Sequence, residues 1–246
     1  MGPFLLLQAR GSDQEMSVHE RSSFAAAMAV PVDHIDIHDL VDEVPLAAPM
    51  ASYAGVLIGG SGDYNGRDQS PWLLRAIDFA QRALIGPGVP TFGCCFGLHL
   101  LGRALGVAVI NEPPYREVGT FTIETTAAAG NCPIFGSLPA TFLAQQGHND
   151  RLASLPAGAT LLCRNAEIPV QAFRLPDRPI WATQFHPELD MAANKTRYMR
   201  YIVNYSGPGG PPADDPVLAS LRPTPESSDL LRRFAALVMA GELTRP

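Results

Sequence analysis

The sequence predicts an α/β fold: an open, mostly parallel sheet with helices on both faces, continued by a mixed, antiparallel extension. Three observations predict it. Strand-like and helix-like segments alternate over the first hundred residues, and a cysteine between two glycines stands where an apolar run gives way at once to a helical one. After Gly106, short strand candidates then follow one another with few helices between them.

Taken in order, Gly2 to Ala9 is apolar and suits a buried strand, and Asp13 to Met28 suits a helix capped by Ser12 or Asp13. Val32 to Ile37 alternates as a second strand. Val44 to Ser52, which contains two prolines, reads as a surface connection. Ala54 to Ile58 is a third short strand, ending in Gly59-Gly60-Ser61-Gly62-Asp63-Tyr64. That loop lacks the spacing of a dinucleotide or phosphate loop, and judged by itself it reads as a turn. Its glycines would still let backbone N–H groups come close to a ligand. Ser70-Pro71 opens a helix running to about Leu84, with proline at the favoured first position, and Gly86-Pro87-Gly88 stops it.

Val89 to Gly106 (VPTFGCCFGLHLLGRALG) is the stretch the chain is organised around. It predicts a short buried strand, an abrupt turn and a helix that starts immediately. Gly93 and Gly97, two positions either side of Cys95, let strand and helix cross without a clash, so Cys95 is the candidate nucleophile. The positive end of the helix favours a thiolate there, and the N–H of Phe96, unpaired in the first turn, points where an oxyanion would form. The bland reading is a buried structural cysteine.

Six strand candidates follow: Val107 to Ile110, Val118 to Thr125, Thr141 to Gln145, Thr160 to Arg164, Val170 to Arg174 and Ile180 to Phe185. The last runs into Gln184-Phe-His186-Pro187-Glu188. Extended geometry before proline puts i and i+2 on one side, so His186 and Glu188 project together as a base and the group that orients it. Gln146-Gly147-His148-Asn149-Asp150 is a third polar cluster, and His148 competes with His186 for the role of base; the Pro-set carboxylate favours His186. Asp190 to Tyr205 reads as a helix, Ser206 to Pro212 as a Pro/Gly linker, and Glu226 to Ala240 as a last helix with an apolar face. Residues 1–190 are expected to form the main domain, with 191–246 a helical extension packed on it.

Composition narrows the functions. A net charge of -6 in 246 residues argues against a nucleic-acid binder, and no apolar run approaches the ~20 residues of a membrane helix. Cys94, Cys95, Cys132 and Cys163 make neither a disulfide framework nor a zinc motif, so a reducing cytoplasm is the expected compartment. No metal or organic cofactor is expected.

GGSGDYN after a strand, GCCFGLHLLGRALG, HND and QFHPE, in that order, resemble the class I glutamine amidotransferase family, in particular stand-alone members similar to the glutaminase domain of GMP synthetases. The resemblance covers residues 50 to 190 well. It implies a flavodoxin-like sheet and a triad of Cys95, His186 and Glu188 that cleaves the γ-amide of glutamine through a thioester. It implies oxyanion donors at Gly60 and Phe96, and substrate contacts from Gly62, His99, His148 and Asp150. The family commonly has glutamine where this chain has His99, which bears on whether free glutamine is the substrate. Too little chain follows the triad for a synthetase domain, which takes roughly 100 residues or more. A separate ammonia-accepting synthetase subunit is therefore one expectation, a γ-glutamyl peptidase acting on a larger amide a second, and a non-catalytic binding module a third.

Overall fold

Phe4–Gln8 (β1) is buried at every position, and its alternate side chains enter two different apolar layers. Phe4 and Leu6 join one layer, Leu5 and Leu7 the other, as the two-residue period of a strand requires. A strand that feeds both layers must be interior, so helices have to cover both faces of its sheet.

The computed structural model describes residues 2–45, 50, 52–206, 211–212 and 214–243, of which 203–206 by backbone alone. Its strands are β1, β2 (Ile35–Asp39), β3 (Val56–Ile58), β4 (Thr91–Cys94), β5 (Val109–Asn111), β6 (Glu117–Thr125), β7 (Thr141–His148), β8 (Asp150–Leu152), β9 (Thr160–Arg164), β10 (Ala172–Leu175) and β11 (Ile180–Thr183). Nine of them form one sheet in the order β2-β1-β3-β4-β11-β10-β9-β6-β7. The first five pair in parallel and the remaining pairings are antiparallel. The open α/β sheet and its antiparallel extension are thus as the sequence predicts.

Among the described residues, six α-helices surround this sheet. α1 (Gln14–Met28) opens at Asp13, whose carboxylate accepts from the Met16 N–H at 3.2 Å, which decides between the two cap candidates. α1 and α6 (Pro225–Met239) pack on the layer of Phe4 and Leu6, burying Phe24, Met28, Leu230, Leu231 and Phe234. α2 (Pro71–Phe79) and α3 (Phe96–Ala104) pack on the opposite layer with Leu73, Phe79, Leu98 and Leu101. α4 (Met191–Ser206) follows the second motif, and α5 (Pro216–Ser220) is capped by Asp215. No helix among the described residues is long and apolar enough to cross a membrane.

Several expectations shift. Val32–His34 is a single 3-10 turn behind Pro31, so the second strand begins at Ile35 and runs to Asp39. The helix from Pro71 widens into a π-helical stretch, Ala80–Ile85, before Gly86 ends it. β5 does not extend the main sheet; it pairs with β8, a strand without apolar alternation to announce it, in a separate two-stranded ribbon. α5 had no signal beyond its Asp-Pro start. Parts of the expected connection (46–49 and 51) and of the Pro/Gly linker (207–210) lie outside the described residues.

The last helix contributes to the core. Phe234 is fully buried, its ring 5.6 Å from that of Phe92, 6.1 Å from Trp181 and 6.3 Å from Phe4. Phe234→Ala should cost ~3–5 kcal/mol of unfolding free energy, transfer and cavity terms together, read from urea denaturation. A loss below ~1 kcal/mol would show that α6 is not part of this core.

Candidate active site

Three neighbouring parallel strands, β3, β4 and β11, end at the same height. Ile58 pairs with Gly93, and Cys94 with Thr183, so the glycine loop, Cys95 and the segment to Glu188 leave the sheet along one edge. This is the carboxyl end of the strands, where open α/β sheets hold ligands.

The turn between β4 and α3 is as sharp as the sequence implies. Cys95 takes φ 51°, ψ −98°, a conformation that side-chain-bearing residues rarely adopt, and its N–H donates to Thr183 O at 2.7 Å. Only glycine fits on either side. A Cβ on Gly97 would lie 2.5 Å from Ile58 O, and one on Gly93 2.8 Å from the Gly97 carbonyl carbon. Gly97 N–H in turn donates to Gly59 O at 3.1 Å, tying the elbow to the glycine loop.

His186 meets this thiol. Its Nδ1 lies 2.7 Å from Glu188 Oε1, and the Cys95 sulfur lies near enough to its ring to act on it electrostatically. All three residues are buried, and Cys95 still lines a cleft of about 280 Å³. Burial pushes the His186 imidazolium down, but the Glu188 carboxylate and the Cys95 sulfur outweigh it and raise the group from 6.5 to about 9. For Glu188, burial raises the carboxyl, and His186 and then Arg197 outweigh it, bringing the group from 4.5 to about 2. The arrangement can hold a thiolate beside an imidazolium and move a proton between sulfur and a bound amide. Burial pushes the neighbouring Cys94 thiol well up; it lies fully buried against Glu188 and Thr183.

The other sequence-predicted residues divide. Gly62, His99, His148 and Asp150 all line the cleft. His148 is not available as the base for Cys95, because Nδ1 lies 3.0 Å from Asp150 O and Nε2 3.0 Å from Glu117 Oε2. Asp150 accepts from Arg67 Nε at 2.9 Å and Asn111 Nδ2 at 2.8 Å. Phe96 is the first helical residue, so its N–H has no intrahelical acceptor and remains the expected oxyanion donor. Gly60 departs from expectation: its N–H donates to Glu20 Oε1 at 3.0 Å, since that buried carboxylate needs donors.

His99 lies in the wall of the cleft, 3% exposed, with Nε2 3.0 Å from Gln184 Oε1; Gln184 Nε2 faces Cys95 Sγ at 3.8 Å. Burial lowers His99 to about 4, so near neutral pH it is uncharged and Nε2–H donates to the amide oxygen. His99 therefore meets Gln184, and through it the thiol. Gln184 could have been found from the i, i+2 argument that paired His186 with Glu188, whereas Glu117, which holds His148, has no local signal. Among the described residues no three His, Cys, Asp or Glu side chains are grouped to hold a metal.

Comparison with known proteins gives the family. The family model described as glutamine amidotransferase class-I matches residues 21–204. A γ-glutamyl-L-1-hydroxyisopropylamide hydrolase from Pseudomonas sp is 32% identical over 154 residues, which cover 58% of this chain and 50% of that protein. One of the subunits of a glutamine-hydrolyzing GMP synthase, from Thermoplasma acidophilum, is 34% identical over 113 residues, 46% of this chain and 52% of that one. The matched segments thus span about half the length of these curated relatives. A glutamine amido transferase structure from Methylobacillus flagellatus superposes with a TM-score of 0.72 at 20% identity, over 100% of this chain and 97% of that one, which is a likeness of fold.

The shifted groups make stability depend on pH. His186 holds its proton more tightly when folded, so its contribution is complete below pH 6.5 and is lost as pH rises through about 9. Glu188 releases its proton more readily when folded, so its contribution is complete above pH 4.5 and is lost as pH falls through about 2. The urea midpoint should decline from pH 6.5 to 9, and His186→Gln should flatten that decline. Equal slopes in the two proteins would contradict the pairing.

Proposed function

From a chain that belongs to the class-I glutamine amidotransferase family, we propose hydrolysis of a γ-glutamyl amide, glutamine by default, to glutamate and ammonia. The observation that carries the reading is the nearness of Cys95 to His186, itself held by Glu188 at 2.7 Å, at the edge of a polar cleft.

The chemistry follows from that nearness. Cys95 sulfur attacks the amide carbon, and the carbonyl electrons move onto oxygen, where the Phe96 N–H is the first donor. His186 gives its proton to the nitrogen, the C–N bond breaks, and ammonia leaves a γ-glutamyl thioester. Water, deprotonated by His186, then attacks the thioester and expels the thiolate as glutamate forms. Gly62, His148 and Asp150 are assigned to the glutamyl end of the substrate, with Arg67 beside Asp150. Ammonia release calls for an acceptor, and the likeness to one polypeptide of a multi-subunit GMP synthase supports a separate synthetase chain as the partner. A cytoplasmic setting, with its thiol-reducing conditions, suits a nucleophilic cysteine.

A second reading is favoured by the γ-glutamyl-L-1-hydroxyisopropylamide hydrolase relative: the same chemistry on a substituted amide, releasing an amine instead of ammonia. Purified protein given glutamine and a panel of γ-glutamyl alkylamides separates the two. Glutamate formed with ammonia supports the first, and amine release from the alkylamides alone supports the second. In either case Cys95→Ala should lower the rate by at least ~10³-fold, and turnover that survives it would overturn both readings.

A further inference from the structure

Beneath the glycine loop lies a run of buried charges that the proposed reaction does not itself use. Glu20, on α1, is fully buried and accepts from Gln8 Nε2 at 3.0 Å, from Arg10 Nε at 3.1 Å and Nη2 at 2.7 Å, and from the Gly60 N–H at 3.0 Å. Arg197, on α4, has a side chain 8% exposed. Its Nη1 lies 2.9 Å from Glu188 Oε1, the oxygen that also holds His186, and its Nη2 lies 3.5 Å from Glu20 Oε1.

One guanidinium thus spans two carboxylates: that of the triad, and the one that holds the amide of the glycine loop. Contact is close throughout. A Cβ on Gly60 would lie 2.8 Å from His186 Cε1 and 3.7 Å from Arg197 Nη1, so loop, imidazole and guanidinium touch. A buried carboxylate is costly unless its donors are in place, so where Arg10 anchors Glu20, the Gly60 peptide must follow. A planar, permanently charged fork suits the bridging position in a way that a lysine ammonium does not.

We propose that Glu20 and Arg197 are positioning residues: the chain Gly60–Glu20–Arg197–Glu188 fixes the glycine loop and the triad carboxylate against each other and sets the field at His186. The proposal rests on the reading of Cys95 and His186 as the reacting pair. Its sign is definite. Arg197 is a cation beyond Glu188 and opposes the imidazolium, whereas Glu20 offsets that cation and favours the imidazolium. The other groups facing this cluster are Glu188 and Cys95 beside His186, Cys94 against Glu188, Arg10 and His19 around Glu20, and Tyr201 on Arg10. The variants below keep all of these.

The test follows iodoacetamide alkylation of Cys95 against pH, with Cys95→Ala as the blank, in wild type, Arg197→Gln, Glu20→Gln, Arg197→Lys and the double Gln variant. The alkaline limb, where the imidazolium loses its proton, should move up by ~0.5 pH unit or more in Arg197→Gln and down by a similar amount in Glu20→Gln. It should lie near wild type in Arg197→Lys and in the double variant. With glutamine, or whichever γ-glutamyl amide turns over, kcat should fall by roughly tenfold to a hundredfold in each Gln variant, with KM little changed. If Glu20→Gln does not fold, the contrast of Arg197→Gln with Arg197→Lys still decides. A limb that stays in place, or moves down in Arg197→Gln, overturns the positioning role while leaving Cys95 reactive. Alkylation no faster than in Cys95→Ala overturns the reading of the site, and this proposal with it.

Discussion

The structure depends on one tight crossing of backbone. Gly93 and Gly97 bring the end of β4 and the start of α3 so close to β3 that no side chain fits between them, and the residue left at the apex is Cys95 in a left-handed conformation. Strain of this kind costs on the order of 1–3 kcal/mol and persists only where the surroundings impose it. Here they do, through the Cys95 N–H on Thr183 O and the Gly97 N–H on Gly59 O. These two bonds join the elbow to the strand that leads to His186 and to the loop that carries Gly60. The thiol, the imidazole and the glycine loop are therefore set by the registers of three adjacent strands rather than by long flexible segments.

The parts of this arrangement that were legible in the sequence are those with local causes. Small residues two positions either side of a cysteine announce the elbow, and proline between His186 and Glu188 sets both on one side of an extended chain. The parallel half of the fold was legible from its strand and helix rhythm, because β1, β3 and β11 feed apolar residues to both layers. Elements that depend on distant partners were not. β8 has no apolar alternation and exists because β5 pairs with it; the partners of His148 come from Glu117 on β6 and a neighbouring carbonyl. Glu20 has no local feature that sets it apart on α1, and only the fold shows that it faces the glycine loop.

His99 illustrates how a departure from a family pattern acquires meaning from its neighbours. At the sequence level a histidine in place of glutamine looks like a change in what touches the substrate. In the folded chain its ring lines the cleft, but its Nε2–H is directed to Gln184, whose amide faces the sulfur. The imidazole is kept uncharged by burial, so it orients the amide without adding a cation beside the thiol. Beside the thiol the charges are those of His186 and Glu188, with Arg197 and then Glu20 behind them.

The central claim is that Cys95 is a nucleophile made reactive by His186, and covalent labelling with a glutamine-derived diazoketone followed by peptide mapping tests it most directly. The account predicts a single adduct, on Cys95, formed in the wild-type protein and suppressed when His186 is replaced by glutamine. An adduct on Cys94, Cys132 or Cys163, or equal labelling of Cys95 with and without the imidazole, would contradict it.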